Sequence, residues 1–195
     1  SCAQATYVWP DFPDRDVAGN LSFGTTRDGV EIRKSPEWLS RTLNFEFLYC
    51  FELPNLYCGF VHKRIIDKAF KDGTYFRSIT PDAYSAFATA IFIDEYAFSF
   101  KPFSIAGASV KSNGASALNA KGNSIEATKF LSENDIAFCA GFVNCPSYEV
   151  ILGESFSQLS LAFPERCANY HIDYSSMLKK ALMHTNEKTV NEVKA

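Results

Sequence analysis

The 195-residue sequence predicts an α+β fold: a largely antiparallel β-sheet or partly closed barrel around an aromatic core, with two or three helices including one at the C-terminus. Three observations carry that expectation. Eighteen Phe, nine Tyr and two Trp make up 15% of the chain, and rings of this size dominate apolar burial. Between residues 43 and 53 the odd positions Leu43, Phe45, Phe47, Tyr49, Phe51 and Leu53 alternate with Asn44, Glu46 and Glu52, the period of two that a half-buried strand displays. Beyond residue 136, short apolar runs are separated by Asn144, Pro146, Gly153 and Pro164, a pattern of strands set close together.

Taken in order, Trp9-Pro10-Asp11-Phe12-Pro13-Asp14 favours an extended entry followed by turns, because proline fixes φ and aspartate bonds its own backbone. Asp28-Gly29 then marks a hairpin between strands over 21–26 and 30–34. After the alternating run ends at Pro54-Asn55, Val61, Ile65, Ile66, Ala69 and Phe70 recur at helical spacing up to Asp72-Gly73. Thr80-Pro81-Asp82 supplies a hydroxyl, a first-turn proline and an early carboxylate, the signature of a helix start. Tyr96, Phe98 and Phe100 alternate as a strand. Residues 104–124, rich in Gly, Ser, Ala and Asn, form a meander of short strands or a loop, with turns at Asn113-Gly114 and Lys121-Gly122. Ser124 caps a short helix over 125–131. Strands over 136–143, 148–152, 156–163 and 168–174 follow, and a terminal helix begins at Ser175.

Composition bounds the class. Apolar residues at 47% and charged residues at 21% describe a chain that buries a core, and one domain over 1–195 accommodates it. A net charge of −3 offers no basic excess for phosphates, which argues against a nucleic-acid partner. The longest apolar run, over 83–93, falls short of the roughly 20 residues that span a bilayer, so no transmembrane segment is expected. The surplus of rings points instead to contact with other protein subunits.

The cysteines are Cys2, Cys50, Cys58, Cys139, Cys145 and Cys167. Their even number permits disulfides in an exported protein, in pairings that sequence leaves open, while a reduced cysteine in an apolar segment is a small buried hydrophobe. The start Ser1-Cys2-Ala3 fits loss of a signal peptide, a lipid anchor on Cys2 if the chain comes from a lipoprotein, or loss of Met before a small residue. Asn20-Leu21-Ser22 matches a glycosylation acceptor by a pattern short enough to arise by chance.

No phosphate loop, zinc-protease helix, dinucleotide fingerprint or nucleophile elbow occurs, so no cofactor is expected. Cys58 and His62 stand four apart, and Cys139 and Cys145 flank one turn, but zinc ligands come in pairs about two to four apart, so no metal is expected either. Asp11, Asp14 and Asp16 read as turn chemistry, Asp94-Glu95 as a solvated strand start, and His184 as a helix-end residue.

One stretch carries chemistry of another kind. Cys58-Gly59-Phe60-Val61 followed by a helix would stabilise a thiolate through unpaired amides and the helix dipole. These residues resemble the nucleophile segment of NlpC-type cysteine peptidases, which implies a papain-like fold and a cysteine hydrolase. The Ser expected between Cys and Gly is missing, and no Gly-His pair opens a strand within the following hundred residues. His171 is the downstream base that this reading needs, with Asp173 two positions on to orient it. The reading that composition favours is different: a non-catalytic assembly or binding component of an extracytoplasmic, cell-surface or virion structure. A carrier of a hydrophobic small molecule in an aromatic-lined barrel is a third alternative.

Overall fold

The computed structural model describes residues 1–24, 27–110, 112, 129, 132–133, 135–143, 145 and 147–184. These form a mixed α/β protein with small sheets. Strands β1 (Ala5–Val8), β2 (Leu21–Phe23) and β3 (Val30–Lys34) precede helix α1 (Ser35–Leu43), a 3-10 turn (Cys50–Glu52), α2 (Lys63–Ala69) and α3 (Pro81–Ala90). Strands β4 (Glu95–Ser99) and β5 (Ile105–Ala108) follow, then α4 (Tyr148–Ala162), α5 (Pro164–Cys167) and α6 (Tyr174–His184).

The core lies between helices. Every residue of α3 from Ala83 to Ala90 is buried, as befits a helix apolar on nearly all sides. Its small residues let α1 and α4 approach, so that Leu39 and Leu43 of α1 and Leu152, Phe156 and Leu159 of α4 join Tyr84 and Phe87 in one cluster. The Phe87 and Phe156 rings meet edge to face at 5.5 Å, the arrangement that ring quadrupoles favour.

Two small sheets complete the fold, of which strands β3 and β4 contact α1. One is mixed and three-stranded in the order β2-β1-β5, with β1 antiparallel to β2 and parallel to β5. The other is the antiparallel pair β3-β4. Residues 1–3 link them: Ala3 N donates to Ser99 O and Ser99 N to Ser1 O before the chain enters β1. Among the described residues the sheets do not close, so neither a barrel nor a large antiparallel sheet is present, and the α-helices number six rather than two or three. The strands expected on either side of Asp28-Gly29 both exist, but β2 pairs with β1 and β3 with β4, so they are not a hairpin.

The run over 43–53 is not a strand. Pro36 in the first turn starts α1, which consumes Leu43, and Phe45 turns the chain with φ of 55°, in the left-handed region. Phe45, Tyr49 and Leu53 are buried through irregular turns, whereas Leu48 is exposed and Phe47 only half-buried, stacked on Trp38 at 5.5 Å. Alternation came from rings that reach the core one by one, without a neighbouring strand.

The strands expected over 148–152 and 156–163 are a single helix. Ser147 caps it by accepting from Val150 N at 3.4 Å, with Glu149 in the first turn. Gly153 is a packing contact rather than a break: a Cβ there would stand 2.8 Å from Met177 Sδ and 2.9 Å from the Phe142 ring, which lets α6 lie against α4. The described residues of 136–143 are coil, and 168–173 run through turn and coil into α6. Where spacing was helical the expectation held: α2, α3 and α6 are present. Thr80 contributes no side-chain cap to α3; Ser78 Oγ accepts from Thr80 N instead. Of 104–124, β5 lies among the described residues, while Asn113-Gly114, Lys121-Gly122 and Ser124 lie outside them, as does the 125–131 helix apart from Lys129.

Candidate functional site

The three-stranded sheet presents one apolar face. Paired residues point the same way, so the register Ala5↔Phe23, Tyr7↔Leu21, Ala5↔Ile105 and Tyr7↔Gly107 sets Leu21, Phe23, Tyr7 and Ile105 on one side. Trp9 continues that side, because its backbone N donates to Ala108 O and its ring meets Tyr7 at 5.7 Å. Gly107 makes room for it: a Cβ there would lie 3.3 Å from Trp9 Nε1. Leu21, Phe23, Ile105 and Trp9 remain 46%, 57%, 61% and 53% exposed. The opposite face carries Thr6, Ser22 and Ala106. The main packing partners of these strands are one another rather than any described helix. A second exposed aromatic pair, Phe60 and Phe103, has ring centroids 5.7 Å apart.

Cys58 sits at the edge of the structure's interior. Asn55 Oδ1 accepts from the backbone N of Tyr57 and of Cys58, each at 2.9 Å, and from the Cys58 thiol at 3.4 Å. This turn holds Cys58 five residues before α2, whose N-cap is His62, accepting from Arg64 N at 3.1 Å. The thiol is therefore not at the helix end. Burial pushes it above the ordinary cysteine value, against the pull of the Asn55 hydrogen bond, the opposite of the depressed pKa that a nucleophile needs. Asn55 and Cys2 act on it, while His171 is exposed in the coil before α6. Asp173 is occupied elsewhere: it caps α6 by accepting from Ser176 N at 3.0 Å and Ser176 Oγ at 2.6 Å.

All six cysteines lie among the described residues, buried and unbridged. No group of three His, Cys, Asp or Glu side chains placed to hold a metal occurs among the described residues. Asp14 accepts from Asp16 N, as turn chemistry requires, and Glu95 pairs with Lys34 at 2.8 Å. His184 contacts the buried Glu149 carboxylate at 2.6 Å. Sequence reading missed the buried polar groups Glu149, Glu154 and Arg33. Glu154 accepts from Ser78 Oγ at 2.9 Å and Gln158 Nε2 at 2.7 Å; the Glu154 and Gln158 spacing of four would have exposed this pair had 148–162 been read as a helix.

A cleft of about 430 Å³ is lined by Lys71, Thr74, Phe76, Arg77, Gln158 and Leu161. Its lining is mixed, and both cations donate to backbone carbonyls, Lys71 to Ala162 O and Arg77 to Lys71 O. No described helix is long and apolar enough to cross a membrane.

The class that the described residues define is thus a mixed α/β protein whose three-stranded sheet leaves Leu21, Phe23 and Ile105 exposed on one side. Compared with known proteins, the chain matches no family model, no curated protein and no solved structure.

Proposed function

We propose that the chain is a non-catalytic assembly or binding component, in the extracytoplasmic, cell-surface or virion setting expected from its composition, and that it joins another subunit through the apolar face of β2-β1-β5. One observation supports this above the rest. Leu21, Phe23 and Ile105, spread over two strands, stay about half exposed on a face without a charged residue, and contiguous exposed apolar patches mark contact surfaces. The partner we commit to is a second copy of this chain. Two uncharged faces meet without the repulsion that like charges on a protein of net charge −3 would impose.

Sedimentation equilibrium tests the proposal. The wild type should associate reversibly at micromolar concentration, and the Phe23→Asp, Ile105→Asp double variant should sediment as a monomer with an unchanged circular-dichroism spectrum. A wild type that stays monomeric at high micromolar concentration, or a double variant that associates as well as the wild type, would overturn it.

A further inference from the structure

We infer that Cys2 and Cys58 form one redox site, whose oxidised state is a disulfide pinning the root of β1 to the turn ahead of α2. The two residues stand far apart in sequence, but the fold brings them together. The Cys2 thiol donates to the Cys58 carbonyl oxygen at 2.8 Å. The Cys58 thiol stands on the same turn, donating to Asn55 Oδ1 at 3.4 Å.

The backbones beside them touch as well. A Cβ on Gly59 would stand 3.1 Å from Ser1 Cα, so the two Cα atoms lie within about 5 Å, allowing one C–C bond of roughly 1.5 Å. A disulfide requires Cα atoms within about 7 Å; Cys2 and Cys58 are the chain neighbours of this close pair, and the 2.8 Å contact from Cys2 Sγ to Cys58 O joins them directly. Ser1 Oγ donates to Leu53 O at 2.9 Å and Phe103 N to Cys2 Sγ at 3.5 Å, which fixes the segment from both sides. Nothing here depends on the sheet face being an interface.

The chemistry balances with a small-molecule disulfide as oxidant. One cysteine, as thiolate, attacks a sulfur of that disulfide, forms a mixed disulfide and releases one small thiol. The second protein thiol loses its proton and attacks the protein sulfur of the mixed disulfide, releasing the second small thiol. Two protein thiols and one small disulfide become one protein disulfide and two small thiols. Cys2 and Cys58 are 1% and 6% exposed, so the first attack waits on a local opening. The flanking Tyr57 and Phe60, 70% and 84% exposed, place that opening at the surface.

The test is oxidation of the full chain with millimolar oxidised glutathione, acid quench, alkylation and non-reducing peptide mapping by mass spectrometry. The expected product has lost two hydrogens, links the Cys2 peptide to the Cys58 peptide, melts several degrees higher than the reduced protein, and reverts with dithiothreitol. Cys2→Ser and Cys58→Ser should each abolish it while leaving the folded spectrum intact. Glutathione adducts without an internal bridge, a bridge mapped to other cysteines, or no reaction at all would each overturn the inference, and the wild-type map decides even where a variant fails to fold.

Discussion

Arg33→Met removes a cation that the fold has enclosed. Arg33 is 4% exposed, with Nε 3.0 Å from Glu31 Oε2 and Nη1 2.7 Å from Glu52 Oε2. Its guanidinium lies between the Trp38 and Phe98 rings, 3.7 Å and 3.5 Å from their centroids. Breaking a buried pair by removing one partner costs about 3–5 kcal/mol, and a desolvated cation–π contact is worth up to about 2 kcal/mol. Glu31 and Glu52 are 41% and 33% exposed, so they regain water once orphaned, and Met keeps the apolar stem packed. These offsets place the loss near 3 kcal/mol, at the low end of the range for a broken buried pair. At about 2–4 °C per kcal/mol for a chain of this size, Tm should fall by about 6–12 °C. Urea unfolding followed by circular dichroism measures it. Arg33→Lys keeps charge but loses the planar fork and should lose less, while adding Glu52→Gln to Arg33→Met should recover part of the loss. A stability change for Arg33→Met within about 0.5 kcal/mol of zero would refute the reasoning, since that is the range of an ordinary surface substitution.

Two further outcomes follow from burial and capping. Phe45, 1% exposed, should cost about 3–5 kcal/mol as Phe45→Ala, and half-buried Phe47 clearly less, in the same urea assay. The Ser176 side-chain and backbone hydrogen bonds hold the Asp173 carboxyl below its ordinary value of 3.8, so its contribution is present above that value and lost as pH falls through the lower folded value. Melting across pH should therefore show the wild type above Asp173→Asn at neutral pH, with the gap closing in strong acid; a gap independent of pH would contradict this role.

Signals confined to one turn or one helix were legible. Thr80-Pro81-Asp82 announced α3, the 3.6-residue spacing announced α2, and the alternation of Tyr96 and Phe98 announced β4. Signals for α1 and α4 were also in the sequence, as Ser35-Pro36 and Ser147 with Glu149; alternation from Leu43 onward hid where α1 ends, and Gly153 spoke louder for strands than the Ser147 cap did for α4. Neither feature discriminates: rings bury in turns as readily as in pleats, and a helix glycine serves close packing.

By itself the sequence determined that an aromatic, weakly charged chain would bury a core and mix helices with strands, because composition and local periodicity are properties of neighbours along the chain. Only the tertiary structure decided that residues 5, 23 and 105 share a sheet face, that Arg33 is caged by rings and carboxylates, and that Cys2 meets Cys58. These pairings join residues far apart in sequence, and they are selected by the packing of the whole chain, to which no local pattern refers.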